Sequence, residues 1–479
     1  MARVALCGVF DIANYGDHLF PLILRMELKK HGYQGDVVLF SPFAATESFV
    51  ENSTVYSLND MESMFQQEPF DAIIVGGGEI IHWHRFGQKI NISDTAFREY
   101  PMDKVWMIPF FMRLKYGIPL LWNAPGIPFD FDDDKAVAKS IFEAVDYLSV
   151  RNQFSQQVLS DCGIEESRIN VVPDTAYSLR ELLSDGETRD ARNRVIPGIQ
   201  NYVVFHCNRF IPEQEIPGVI SLLKELSHSG YTIVLLPLAY THGDADILQR
   251  IQQLSDCSFI LPEHPLSLHE IIGVLSGCSL YIGTSLHGSV TAGVFGQKVV
   301  SYDYQCTKKT RDLYTQLGLE KYYTTNVESL IQAVHEALHH SQDCNFEPTQ
   351  KRIERHFATI TSMIQQGETD QGTYDQAAPL AEALYGYFNY KHQVEGLATR
   401  NEELNTALNT NLNFVQIFKH NITELEQVKA DHENEIESLK NANQLLYARN
   451  TFLEEHPIRV WFDHNQLLQR ISRGFSKKK

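Results

Sequence analysis

The sequence predicts two α/β halves of the doubly wound kind, followed by a long helical extension. Three observations carry this. Over roughly the first 365 residues, short apolar runs alternate with amphipathic stretches, as in parallel sheets covered by helices. The alternation starts afresh after a polar break near residue 185. From about residue 394, Gly and Pro nearly vanish and apolar residues recur with a heptad period.

In the first half, 4–9, 37–40, 72–75, 119–123 and 147–150 read as buried strands, and 19–30 and 136–144 as helices. Segment 183–190 lacks apolar periodicity and reads as a linker. Strands recur at 202–205, 232–236, 259–261, 280–282 and 299–302, and a helix at 348–366 is expected to close the second half. The organisation expected is a first domain at 1–182, a linker at 183–200, a second domain at 201–368, a connection at 369–393, a coiled coil at 394–455 and a basic amphipathic tail at 456–479. Open α/β sheets bind ligands outside the carboxyl ends of their strands, so two facing halves put a ligand in the cleft between them.

In the extension, Val415, Ile422, Lys429, Ile436, Asn443 and Asn450 share one heptad phase. Phe418, Leu425, His432, Leu439, Leu446 and Leu453 share the other. Asn at core positions favours one register and few strands. A single exposed helix packed on its own protein is the alternative. Pro457 stops the helix. The tail combines Trp461 and Phe462 with Arg470, Arg473 and Lys477 to Lys479. That is the make-up of a helix on an anionic membrane surface, or of a solvated tail.

Composition narrows the function. Of 479 residues, 43% are hydrophobic and 21% charged, the balance of a folded chain. Lys+Arg 41 against Asp+Glu 60 leaves a net charge of -19, the reverse of a nucleic-acid binder. An anionic substrate therefore needs a local island of cations. No apolar run approaches the about 18 residues of a membrane span. Asp11 follows the first apolar run too soon for a signal peptide. The seven cysteines are scattered, with no Cys-x-x-Cys clip, so reduced thiols in a cytoplasm are expected and a Cys-based zinc site is not.

Four clusters can carry chemistry. Gly8 to Asp17 lies where the first strand meets the first helix. Asn14 and Asp17 can cap a helix starting near His18, and the loop N–H groups can face an anion or a sugar hydroxyl. A capped turn with no ligand fits the spacing equally. Gly76-Gly77-Gly78-Glu79 follows a strand. Three glycines allow a concave set of donors, and Glu79 is a candidate base, although no Walker loop follows. His82 and His84 beyond it lack a third ligand and read as a loop. Arg151, at the end of 147–150, can pair with phosphate or carboxylate, or with a nearby acid. Asp174 sits at the next strand-end turn. Ser285-Leu286-His287-Gly288 puts His287 at a helix N-terminus with free donors beside it. Lys308, Lys309 and Arg311 form a basic cluster after Tyr302-Asp303.

Taken in order, Asn14-Tyr15-Gly16-Asp17, Gly76-Gly77-Gly78, Ser149-Val150-Arg151 with Ser155, Asp174-Thr175-Ala176, and Ser285-Leu286-His287-Gly288 with Tyr302-Asp303 resemble the polysaccharide pyruvyltransferase family. The resemblance covers roughly residues 1 to 320. It implies two Rossmann-like halves in a GT-B-like arrangement. It implies phosphoenolpyruvate as donor substrate, no cofactor or metal, and a galactose- or N-acetylmannosamine-type glycan as acceptor, giving a pyruvate ketal and phosphate. Carried over, Arg151 holds the donor's phosphate or carboxylate, His287 binds the donor and serves as general acid, and Lys308 adds charge. Gly76 to Gly78, Asn14 to Asp17, Ser285, Leu286 and Gly288 line the substrates, with Glu79 or Asp174 as base. The chain departs from the family at Ser285, Asn152 and Lys298, where Arg, Asp and Pro are frequent. The Arg missing at Ser285 leaves Lys298 or Lys309 to supply that charge.

The chemistry suits these residue types. Protonating the methylene carbon of phosphoenolpyruvate makes its neighbour electrophilic; one hydroxyl adds and a second displaces phosphate. The expected setting is cytoplasmic, with peripheral contact at the inner face of a membrane, self-association through the coiled coil and no nucleic acid. Two rivals remain: a GT-B nucleotide-sugar glycosyltransferase, for which Glu263 and Glu270 are available, and a non-catalytic coiled-coil platform.

Overall fold

The computed structural model describes residues 2–46, 49–83, 100–342, 344, 346–367, 374–455, 465–466 and 469–470. The chain divides into two compact units, Met1–Tyr385 and Gly386–Lys479.

The first unit holds two five-stranded parallel sheets. In the first, β1 (Arg3–Cys7), β2 (Asp36–Ser41), β3 (Val55–Ser57), β4 (Ala72–Gly76) and β5 (Leu120–Asn123) lie in the order β3-β2-β1-β4-β5. A short pair, β6 (Ser149–Val150) with β7 (Asn170–Val171), connects to it through a parallel bridge between Leu121 and Tyr147. The second sheet holds β8 (Tyr202–His206), β9 (Thr232–Leu235), β10 (Leu280–Gly283), β11 (Lys298–Tyr302) and β12 (Tyr323–Thr324), in the order β12-β11-β10-β8-β9. Strands β4, β5, β8 and β10 are buried along their whole length. Helices cover both faces of such sheets, which is why these strands read as unbroken apolar runs rather than alternating ones.

Three segments differ from expectation. Residues 183–200 carry the helix Asp185–Val195, opened by a capping box between Ser184 and Glu187. Only Thr188 and Ala191 of that helix are buried, so it has almost no apolar stripe to read; the cap specifies it. The run 259–261 contributes one bridge, Val234 to Ile260, and no strand. The helix Glu347–Gln366 bonds to the first half instead of closing the second. His356 Nε2 donates to Asn123 Oδ1 at 2.9 Å, its Nδ1 lies 3.0 Å from the Tyr147 hydroxyl, and Arg352 donates to the Val171 carbonyl at 2.6 Å. Burial lowers the His356 pKa to about 3, so it stays neutral there.

The helix Tyr374–Glu455 takes in most of the segment expected as a connection and all of the heptad stretch. In the second unit, Leu404, Phe418, Leu425, Leu439 and Leu446 are each more than half exposed. Nearly all of the basic tail lies outside the described residues. Among the described residues, no helix is long and apolar enough to cross a membrane, and the seven cysteines are free thiols.

Candidate functional site

The site forms where the carboxyl ends of the two sheets face each other. The helix Tyr15–Lys30 begins four residues before the expected start because the Asn14 side chain accepts from the Gly16 N–H and caps it. Asp17 therefore sits inside the first turn and caps nothing. The same loop is joined to the second half. Tyr15 N–H donates to the Leu238 carbonyl at 2.8 Å, and Tyr240 N–H to that of Ala13 at 3.1 Å. The buried Tyr15 hydroxyl lies 2.8 Å from Thr291 Oγ1. A Cβ on Gly16 would fall 2.1 Å from His287 Nδ1, so only glycine lets the imidazole lie against the helix start.

After β4, Gly77 at φ +98° and Gly78 at φ +71° make a left-handed turn that L side chains resist. The turn delivers Glu79, whose Oε2 is 3.6 Å from Lys309 Nζ of the second half. Beyond β5, Gly126 is wedged between two site residues: a Cβ there would meet Arg151 Nη2 and Glu79 Cγ, each at 2.9 Å. Arg151 follows β6 and donates through Nη1 to Asp174 Oδ2 at 3.0 Å. Asp174 is itself fixed by accepting from the Ala176 N–H at 2.9 Å. His287 reaches the same oxygen from the opposite half, with Nε2 at 3.3 Å. That is an ion-pair distance, but the ring nitrogen is not aligned as a hydrogen-bond donor. The edge of Phe20 packs on the imidazole with ring centroids 5.4 Å apart.

The charges interleave. Burial would raise Asp174, but His287 and Arg151 outweigh it and hold its carboxyl well below the usual range. Burial raises Asp17 to about 6 against the pull of His287, Lys309 and Arg151. For Glu79 the pull of Lys309 and Arg151 overcomes burial and lowers it. Burial works against the Arg151 cation, but Asp174 and Glu79 together raise it. Two carboxyls beside one imidazole are thus driven in opposite directions, the pattern that separates a proton donor from a permanent anion.

The structure brings Gly16, Asp17, Glu79, Arg151, Asp174 and His287 together. Asn14 and Tyr15 form the seam between the halves. Ser285, where the family often has Arg, caps the helix Leu286–Val294 by accepting from the Gly288 N–H at 3.2 Å. Leu286 packs against the core. Lys308 Nζ lies 3.8 Å from the centre of the Phe154 ring, on the helix that follows Arg151. Lys298 Nζ donates to the Leu338 carbonyl at 3.0 Å. Of the cations considered for the missing Arg, Lys309 is the one in the cluster. Glu263 is exposed, and Glu270 is engaged in the capping box with Ser267. His82 is buried, and His84 lies outside the described residues. Two contributors were missed in the sequence: Gly126, and the pair in which Tyr100 donates to Asp11 Oδ1 at 2.6 Å. Asp11 could have been found, since it sits in the first loop; Tyr100 carries no local signal.

Comparison with known proteins follows this geometry. A family model described as Polysaccharide pyruvyl transferase matches residues 14–305. The amylovoran biosynthesis protein AmsJ of Erwinia amylovora is 23% identical over 228 residues, 43% of this chain and 52% of that protein. The match thus spans about half the length of that relative. Two structures of UDP-GlcNAc 2-epimerase from Methanocaldococcus jannaschii are similar in fold. The complex with UDP-GlcNAc and UDP has a TM-score of 0.50 at 15% identity, covering 76% of this chain and 100% of the other. The second has a TM-score of 0.51 at 14% identity with the same coverage. At such identity the likeness concerns the fold: two Rossmann-like halves in a GT-B-like arrangement.

Proposed function

The chain belongs to the polysaccharide pyruvyl transferase family, and from that premise we propose that it moves the pyruvate unit of phosphoenolpyruvate onto two hydroxyls of a glycan or glycan precursor, forming a ketal and releasing phosphate. The observation that carries this reading is the convergence of Arg151 and His287, from opposite halves, on Asp174 Oδ2. Arg151 and Lys309, each now paired with a carboxylate, Asp174 and Glu79, are the cations that a trianionic donor would engage in a chain of net charge -19.

In this reading Arg151 and Lys309 hold the donor's phosphate and carboxylate. Asp174 stays ionised and orients both Arg151 and His287. The general acid that protonates the methylene carbon is His287, with Asp17 beside it as a proton reserve, because a trianion arriving nearby raises a buried carboxyl further. Glu79 accepts a hydroxyl proton. The acceptor is of galactose or N-acetylmannosamine type, lipid- or nucleotide-linked, and the setting is cytoplasmic, with the tail touching the inner face of the membrane. The heptad stretch joins a second copy of the chain.

The test is phosphate release from phosphoenolpyruvate with galactoside and N-acetylmannosaminide acceptors, together with the mass of the product. An acceptor gaining one pyruvate ketal supports the reading. Failure across the panel, by protein whose melting temperature rises with a uridine-diphosphate sugar and not with phosphoenolpyruvate, sinks it in favour of a glycosyltransferase.

A further inference from the structure

The second half carries a buried polar chain that the cluster above does not use. His206 ends β8, paired with Gly283 at the end of β10, and is 3% exposed. Its Nε2 lies 2.9 Å from Asp244 Oδ2. The same oxygen accepts from the Leu238 N–H at 3.2 Å and the Ala239 N–H at 2.7 Å. Asp244 is buried and is the first residue of the helix Asp244–Leu254. With two backbone N–H groups already donating to Asp244 Oδ2, that oxygen is the acceptor toward the imidazole as well. His206 Nε2 therefore carries the ring proton, and Nδ1 is left as an acceptor. Nδ1 lies 3.2 Å from Thr284 Oγ1, so the threonine hydroxyl donates to it. This leaves the hydroxyl oxygen able to accept a proton in turn.

The placement of Thr284 gives the chain a use. It is only partly buried, on the turn between β10 and the helix that carries His287 three residues later. At the other end, Leu238 and Ala239, which hold Asp244, also pair with Tyr15 and Asn14 of the first half. The chain thus runs from the segment that meets the first half to the turn that leads into the His287 helix.

We propose that Thr284, backed by His206 and Asp244, receives the proton of one acceptor hydroxyl as the ketal forms. The proposal rests on the pyruvyl-transfer reading. The acceptor O–H passes its proton to Thr284 Oγ1 while Oγ1 passes its own to His206 Nδ1. The electron pair left on the acceptor oxygen forms the new C–O bond to the ketal carbon. The bond from that carbon to the phosphate oxygen breaks with its pair going to phosphate. The proton held on His206 returns through Thr284 to the departing phosphate, so no co-reactant is required. Thr284 is the catalytic group here; His206 and Asp244 position and polarise it.

The test uses the full chain with phosphoenolpyruvate and p-nitrophenyl β-galactoside or N-acetylmannosaminide, following phosphate release, and phosphoenolpyruvate affinity by calorimetry. Thr284→Val is expected to lower kcat about 100-fold with donor affinity unchanged, and to lower the melting temperature because the buried His206 Nδ1 loses its partner. Thr284→Ser restores the rate to within about threefold, and His206→Gln lowers kcat without weakening the donor. Wild-type rates in Thr284→Val, or a loss confined to donor affinity, overturn the relay and leave the transfer reading standing. No phosphate release by the wild type with either acceptor, and no binding of phosphoenolpyruvate, overturns both.

Discussion

Gly16 and His287 approach so closely that a single added methyl group on Gly16 would overlap the imidazole, with its carbon 2.1 Å from Nδ1. The two residues belong to different halves, so the position of the acid depends on how the halves meet. Gly16→Ala should therefore act on catalysis before it acts on folding. Ala is the better helix former by about 1 kcal/mol, which offsets part of the crowding. Displacing the imidazole by about 1 Å is expected to cost about 100-fold in phosphate release. Stopped assays of kcat beside a thermal melt check this, and a wild-type rate in a normally folded variant refutes it.

Arg151 and Asp174 are a buried ion pair at 3.0 Å, so removing one partner strands the other. Arg151→Ala should destabilise the fold by about 3–5 kcal/mol and abolish donor binding. Urea unfolding and calorimetry with phosphoenolpyruvate give the two numbers. An Arg151→Ala protein that binds the donor normally removes Arg151 from the site.

Asp17 makes a prediction about pH. Its folded pKa, about 6, lies above the usual value, so the folded state binds a proton more tightly than the unfolded one. The carboxylate thus costs stability at pH 7, a cost that fades as pH falls through about 6 and is gone below about 4. Asp17→Asn should stabilise the protein at pH 7 by about 3 kcal/mol, with the gain vanishing near pH 4. Urea midpoints at the two pH values measure it, and a gain independent of pH contradicts it.

His356 titrates with the opposite sign. Its folded pKa, about 3, lies below the usual 6.5, so the unfolded state takes up the proton first. Stability from the neutral ring is full above pH 6.5 and drains away as pH falls from there toward 3. His356→Gln keeps a donor for Asn123 and should flatten that acid limb of the stability profile, read from urea midpoints between pH 7 and 4. An unchanged slope argues against the buried neutral imidazole.

The extension should separate from the chemistry. Replacing Leu425 and Leu439 together by Glu puts charge into the seam of the heptads, where both side chains are more than half exposed in the single chain. Sedimentation is expected to change from an oligomer to a monomer while phosphate release per chain stays the same. A wild-type protein that already sediments as a monomer defeats the pairing.

Much of this was legible before folding. The strands at β1, β4, β8 and β10 announced themselves because a strand buried on both faces has to be apolar throughout. Arg151, Asp174 and His287 were legible because each stands at a strand end, the place where open sheets put chemistry. Lys309 could not be told from Lys308. The two are adjacent in the chain, and one residue on a helix rotates a side chain by about 100°, which here sends Lys308 over Phe154 and Lys309 to Glu79. The helix Asp185–Val195 stayed hidden because it buries only two side chains and leaves no periodicity to detect.

By itself the sequence determined the two doubly wound halves, the heptad extension and the types of group available for catalysis. These follow from local patterns: apolar runs, glycine turns, caps and seven-residue spacing. Only the tertiary structure decided which groups share a site. Arg151, Asp174 and His287 are far apart along the chain, and Gly16 matters only because another half arrives against it. Acidity belongs to the same class. The first helix and the turn after β7 place equivalent carboxyls beside one imidazole, and it is the balance of buried surface and nearby cations that raises Asp17 and lowers Asp174.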